Sequence, residues 1–322
     1  MTDLSPGRGR ALLAAAVTVL LWASAFVFIR IAGADFSPGA LALGRTASGS
    51  VVLVTILLLT GSGLPPRSAL RGILVSGLLW FGLYMVALNW AEQQIDAGTA
   101  ALVINTGPVL IALLGGLFLR EGFPKRLMTG IAVAFTGAAV VGLAGSEGAA
   151  TVLGVALCVV AAAAWAVAVL AQKPALAHGS ALQVTTGGCV VGTIACLPFT
   201  GQLIAEVATA PLPATLSLLY LGVFPTAVAF TTWAYALARM TAGQVGATTY
   251  AVPALVVALS WLLIGEVPGP LTLAGGALCL AGVAITRRRP RRKASSRDTG
   301  RARSPDRARA VPDPQPGSDW VR

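Results

Sequence analysis

Of 322 residues, 56% are hydrophobic and only 11% are charged; this balance, with a mean hydropathy of +0.80, leaves too little polar surface to cover a water-soluble fold. The formal charge of +11 sits mostly at one end, because 12 of the 23 Lys and Arg residues and 4 of the 12 Asp and Glu residues lie from Arg287 onward. No nucleic-acid partner is therefore expected; the expected partners are a lipid bilayer and a small-molecule substrate.

Apolar runs of about 20 residues, each able to cross a hydrocarbon layer of about 30 Å as helix, recur along the chain. After a short N-terminal segment, 1–10, they predict ten helices, at about 11–32, 38–60, 70–91, 97–119, 126–145, 151–171, 181–200, 214–237, 243–264 and 270–286. The connections are short and rich in Gly, Pro and Ser. Arg8 and Arg10 before the first run suggest a secretory signal, but the apolar stretch is too long for one. Moreover, Trp22 and Arg30 recur 143 residues later as Trp165 and Lys173, which makes the first helix part of a repeated architecture. Residues 287–322 are rich in Pro, Ser and Arg and are expected to be a disordered tail, either attracted to anionic headgroups or simply fixing topology.

Cys158, Cys189, Cys196 and Cys279 fall within apolar runs without CxxC spacing, and His178 is the only histidine. Neither a disulfide framework nor a metal centre is suggested, no cofactor is expected, and His-based catalysis has no candidate residues.

Basic residues set the topology. With ten alternating helices, Arg8, Arg10, Arg67, Arg71, Arg120, Lys125, Arg126, Lys173, Arg239 and the tail share one side. The opposite connections, "GADFSP", "AEQQIDAG", "GSEGAA", "GQLIAEVATAPLP" and "GEVPGP", carry no Lys or Arg. Both termini are thus expected to be cytoplasmic, in a multi-pass protein of the cell membrane.

At an offset of 145, Ala97, Gly98, Pro108, Leu110, Glu121, Gly130 and Gly137 recur as Ala242, Gly243, Pro253, Leu255, Glu266, Gly275 and Gly282. Two halves of five helices follow, 11–145 and 151–286. Because five is odd, the second half enters the membrane inverted relative to the first, an arrangement common among secondary transporters. The expected fold class is an all-α integral membrane protein of two inverted five-helix repeats.

"LLWASAFVFIR", Pro108 with "LFLREGF", "YLGVFPTAVAFTTWAYALARM" and Pro253 with "LLIGE" resemble, in order and spacing, the ten-helix EamA-like exporters of the drug/metabolite transporter superfamily. The likeness covers residues 11–286. It implies a bundle of two inverted repeats that moves small metabolites, amino acids or drugs, usually outward. This sequence departs from the family pattern at Trp22-Ala23, where Trp-Gly is frequent, and at Phe224-Pro225, where proline stands in a glycine position.

An interior proline removes an N–H and kinks its helix. Pro108 and Pro253 are such residues, and the carbonyls they free belong to Ile104 and Thr249, each just before a polar residue, Asn105 or Tyr250. A freed carbonyl in lipid needs a partner, so the two kinks are expected to bring polar groups to mid-membrane; helix packing alone is the competing explanation. Trp22 with Ser24, Tyr84, Asn89, Trp165, and Trp233 with Tyr235 extend the candidate substrate-binding cavity, since rings with polar tips suit amphipathic solutes. Trp90 and Trp261 read instead as interfacial anchors. Arg45 either faces the cavity, favouring anionic or zwitterionic solutes, or pairs with Glu92; Arg30 reads as a snorkelling side chain. Glu121 and Glu266 are candidate gates at opposite faces, or loop residues in water. No Asp or Glu lies mid-span, so a buried carboxylate relay is not expected.

A membrane enzyme acting on lipid would need acid/base or metal-binding groups near an interface, and a receptor or scaffold would need a soluble partner domain. Neither feature stands out, which leaves a transporter as the best-supported class.

Overall fold

The computed structural model describes residues 6–118, 125–144, 149–240 and 242–287, and all regular structure among them is helical. Glu121 and the tail from residue 288 lie outside the described residues. The order is α1 (Pro6–Ala32), α2 (Pro38–Leu59), α3 (Arg67–Ser76), a π-helical segment Gly77–Tyr84, α4 (Met85–Gln94), α5 (Ala97–Ile104), α6 (Gly107–Phe118) and α7 (Lys125–Ala144). There follow α8 (Ala149–Ala175), α9 (Ala181–Cys196), a 3-10 turn Leu197–Phe199, α10 (Thr200–Thr209), α11 (Leu212–Leu221) and a second π-helical segment, Gly222–Val228. The described residues end in α12 (Ala229–Arg239), α13 (Ala242–Thr248), α14 (Ala251–Ile264) and α15 (Pro270–Arg287).

Helix ends follow local chemistry. Asp96 caps α5 by accepting from the Thr99 N–H at 2.8 Å, and Ser180 with Gln183 forms a reciprocal capping box on α9. Gly265, at φ 70°, closes α14 in the left-handed conformation that a side chain would disfavour.

Among the described residues, seven helical stretches are long and apolar enough to cross a membrane: Gly9–Ala32, Pro38–Leu59, Arg67–Gln94, Thr151–Ala175, Ala181–Thr209, Leu212–Arg239 and Gln244–Ile264. Three shorter apolar helices accompany them, Ala97–Ile111, Met128–Val140 and Pro270–Gly282. Two boundaries differ from the sequence reading. The third stretch runs to Gln94, past the expected end at 91, and buries Glu92. The expected loop after residue 200 folds as α10, whose Gln202 and Glu206 hold the start of α2: the Ser37 N–H donates to Glu206 Oε2 at 2.9 Å and Ser37 Oγ to Gln202 Oε1 at 3.0 Å.

The internal offsets of 143 and 145 reappear as physical contacts. Ser50 and Thr193, 143 apart, share a hydroxyl hydrogen bond of 2.9 Å, and Cys279 Sγ lies 3.3 Å from the carbonyl of Ala134, 145 earlier. The π-helical segments start at Gly77 and Gly222, again 145 apart. Arg30 donates to the Glu92 carbonyl at 2.6 Å, while Lys173 donates to that of Leu237, so both residues of each pair sit at the repeat offset. α7 packs along the length of α15 because Gly137 and Gly282 are bare: a Cβ on Gly137 would stand 2.5 Å from the Gly275 oxygen, and one on Gly282 2.5 Å from the Gly130 oxygen.

Large apolar side chains such as Leu58, Leu59, Trp261 and Leu262 face outward, as in a protein dissolved in lipid. The interior is filled by α1 packing on α11, α12 and α14, by α8 packing on α3 through α6, and by α2 against α9.

Candidate functional site

The two proline helices are interrupted outright. α5 stops at Ile104 and α6 starts at Gly107; α13 stops at Thr248 and α14 starts at Ala251. The breaks meet in the core, where Asn105 Nδ2 donates to the Thr249 carbonyl at 3.0 Å, both residues being buried. That carbonyl is the one Pro253 deprives of its helical donor.

Beside the breaks lies a cavity of about 40 Å³, lined among others by Trp22, Arg45, Tyr84, Asn105, Trp165 and Thr249. Its floor is a cluster of tryptophans from four different helical segments. Trp22 meets Trp233 at 4.9 Å between ring centroids, Trp80 at 5.8 Å and Trp165 at 6.5 Å, and Phe230 closes the cluster 5.4 Å from Trp22. Gly107 makes room for this packing, since a Cβ there would lie 2.3 Å from the Trp165 ring.

Polar atoms in this apolar setting lack partners among the described residues. Arg45 is buried and its Nε donates to Thr226 Oγ1 at 3.3 Å, yet Nη1 is unpaired. Asn105 Oδ1 and the indole N–H groups of Trp22 and Trp165 are buried and unpaired as well. Leaving such groups dry and unsatisfied costs about 1–3 kcal/mol each, an expense typical of sites that bind polar solutes. The donors Arg45, Trp22 and Trp165 suit an anion, and the Asn105 oxygen suits a donor such as an ammonium.

Of the ten residues expected to bind substrate, five line this cavity: Trp22, Arg45, Tyr84, Asn105 and Trp165. The others sit elsewhere. Ser24 hydrogen-bonds Tyr220 Oη at 2.8 Å, on the seam with α11. Asn89 donates to the Pro38 carbonyl at 3.2 Å, bracing the start of α2. Trp233 supports Trp22 from behind, Tyr235 lies under the Arg239 guanidinium at 3.5 Å, and Tyr250 packs on Val109 and Ala134. Trp80 and Phe230 line the cavity without having been singled out, whereas Ile104 and Thr249, which also line it, were marked by the carbonyls their prolines free.

A second, open vestibule of about 800 Å³ lies at the end of the bundle where α1, α4 and α14 finish, lined by Arg30, Asp35, Glu92, Gln93 and Glu266, among others. Here Arg30 Nε and Glu266 Oε1 form an ion pair of 2.7 Å, the only salt bridge among the described residues. Arg30 is thus tied to two other elements rather than extended toward water. Glu92 is buried at the vestibule wall, and it is not paired with Arg45.

Residues 9–143 and 152–288 each match the EamA-like transporter family. A protein of Streptantibioticus cattleyicolor named "Probable terminal-alkyne amino-acid exporter" is 40% identical over 294 residues, covering 89% of this chain and 97% of that one. The "Uncharacterized transporter YdfC" of Bacillus subtilis is 32% identical over 266 residues, 83% of this chain and 87% of that one. A solved crystal structure shares the fold with a TM-score of 0.58 and 22% identity, over 87% of this chain and 98% of that chain. With both matches, a bilayer-spanning helical bundle and a central aromatic cavity carrying a few polar atoms, the chain belongs to the EamA-like transporter family of the drug/metabolite transporter superfamily: it is a multi-pass membrane transporter of small molecules, not an enzyme.

Proposed function

We propose that the protein exports a small zwitterionic metabolite of the amino-acid class by alternating access. The observation that carries this reading is the pairing, on one aromatic cavity, of the unpaired Arg45 Nη1 with the unpaired Asn105 Oδ1. The solute carboxylate sits on Arg45, its ammonium on Asn105, and its apolar part against Trp22 and Trp165. The relative named as an amino-acid exporter supports the same class.

The bundle comprises ten spans in two inverted repeats, 11–145 and 151–286. Support comes from the seven long and three shorter apolar helices, and from contacts between residues 143 to 145 apart. Both termini are cytoplasmic, since the connections on the vestibule side are free of Lys and Arg apart from Arg30 at a helix end. The vestibule then opens outward, and the Arg30–Glu266 pair is its latch. A cavity of about 40 Å³ has room for about three waters, far below the ~300–1,000 Å³ of ligand pockets. Solute entry therefore requires the walls, contributed by both repeats, to part, as rocking of one half against the other would do.

The test is counterflow in proteoliposomes loaded with unlabelled L-propargylglycine or L-leucine, followed by addition of the labelled compound outside. Transient accumulation is expected in the wild type and not in Arg45→Gln; accumulation of inorganic anions or apolar cations instead would reject the zwitterion reading.

A further inference from the structure

Gln172 is a buried polar side chain for which the solute site described so far has no use. It is 1% exposed, and neither its amide oxygen nor its amide nitrogen has a partner among the described residues. An amide buried dry destabilises the conformation that buries it, so the residue is better suited to a state in which a polar group reaches it.

Its register is that of a cavity wall. On α1, Trp22, Ala25, Phe26 and Ile29 line the solute cavity, and their spacing puts them on one helical stripe. The repeat offset of 143 carries that stripe onto Trp165, Ala168, Val169 and Gln172 of α8. Trp165 lines the cavity, while the other three are packed shut. From the shared tryptophan cluster the two stripes run to opposite ends of the bundle. Ile29 adjoins Arg30 in the vestibule, where the stretch Arg67–Gln94 finishes. Gln172 follows Ala171, which packs where that stretch starts: a Cβ on Gly72 would stand 2.5 Å from the Ala171 oxygen. That end is held closed by Lys173, whose ammonium donates to the Leu237 and Met240 carbonyls of α12 and its C-terminal turn. The two copies differ in polarity. Gln172 stands where the first repeat has Ile29, and Thr186 and Trp233, each with a buried unpaired polar atom, stand where it has Leu43 and Leu88.

From this register we infer that the α8 stripe is the wall of a second solute chamber, closed here, that opens at the end away from the vestibule, and that the Gln172 amide hydrogen-bonds the solute there. The inference rests on the alternating-access reading above, which makes that end the cytoplasmic one. Nε2 donates to a carboxylate and Oε1 accepts from an ammonium, so one amide can serve a zwitterion during loading. Once the halves rock, the solute meets Ile29 in its place, which offers no hydrogen bond. The amide thus biases affinity between the two faces; it supplies no driving force.

Two measurements test this on the full-length protein. In the first, no solute is used: Gln172→Cys and Ile29→Cys, each made singly, meet a membrane-impermeant methanethiosulfonate in inside-out and right-side-out vesicles. Wild type is the control, its four native cysteines being buried. Gln172→Cys is expected to react from the cytoplasmic face and Ile29→Cys from the outer face. An inert Gln172→Cys, or reaction of both from one face, overturns the chamber; opposite faces in the reverse sense keep the chamber and overturn the orientation assigned above. In the second, labelled L-propargylglycine is bound at equilibrium to detergent-solubilised wild type and Gln172→Met. Binding is expected to weaken about two- to tenfold, the worth of one hydrogen bond, with the melting temperature unchanged or raised because the amide has no partner to lose. Unchanged binding overturns the solute contact, and a lowered melting temperature makes the amide a structural one instead. If the wild type binds neither this compound nor L-leucine, the zwitterion assignment fails while the labelling still decides the chamber.

Discussion

Asn105 reaches across the core to the Thr249 carbonyl, 3.0 Å from its Nδ2, and thereby ties together two helix breaks that lie one repeat apart. The proline at 253 creates the need, and the polar residue three before the other proline meets it. One amide thus stabilises the interrupted helices with its nitrogen and offers its oxygen to the cavity.

This division of labour separates two substitutions. Asn105→Leu removes one of two donors to the Thr249 carbonyl, the Val252 N–H at 3.0 Å remaining, and also removes the acceptor, so the stability of the detergent-solubilised protein should fall by about 0.5–1.5 kcal/mol, with transport lost. Asn105→Asp keeps an acceptor but not the donor, and is expected to retain part of solute binding at a comparable loss of stability. Equal stability in all three proteins would show that the contact carries no weight.

Arg45 makes the opposite trade. It is buried with one charged nitrogen unsatisfied, so Arg45→Met should leave the melting temperature unchanged or raise it, as replacing buried charge by apolar volume does elsewhere. Solute affinity should drop about 10- to 100-fold, the worth of a charge-assisted hydrogen bond of ~1.5–3 kcal/mol. Calorimetric unfolding and equilibrium binding of the same preparations check both halves.

The Arg30–Glu266 pair is part-exposed, 34% and 27% by side chain, and so contributes at most about 1 kcal/mol of stability. Its expected effect is on opening. Arg30→Cys with Glu266→Cys, joined by a short bis-methanethiosulfonate, should block counterflow, and dithiothreitol should restore it; undiminished flux in the joined protein would remove the latch role.

Gly282 faces Ala134 and the Gly130 carbonyl with no room for a side chain. Gly282→Val forces α15 off α7, and overpacking of this kind costs about 1–3 kcal/mol. A lower melting temperature is expected, with the solute affinity of the folded fraction unaltered within about twofold because neither helix lines the cavity.

Much of this was legible from residue spacing. Apolar runs located the helices, and the matched prolines located the two breaks, because a missing N–H is a local property of the chain. Trp22 and Trp165 were identified as rings with polar tips and by their repeat offset. Helical period, however, does not say which neighbour a face meets. Ser24, Asn89 and Tyr235 are polar or aromatic residues of the same kind, yet each meets a partner outside the cavity lining: the Tyr220 hydroxyl, the Pro38 carbonyl and the Arg239 guanidinium.

The sequence by itself determined that the chain lives in lipid, that it is built twice, and where its helices give up hydrogen bonding, since composition, periodicity and proline act locally. Only the tertiary structure decided which polar groups go unpaired. Whether Arg45 and Glu92 neutralise each other, or Arg30 reaches Glu266, depends on distances between helices far apart in the chain. Packing sets those distances, and it leaves Arg45 facing the cavity and Glu92 facing the vestibule.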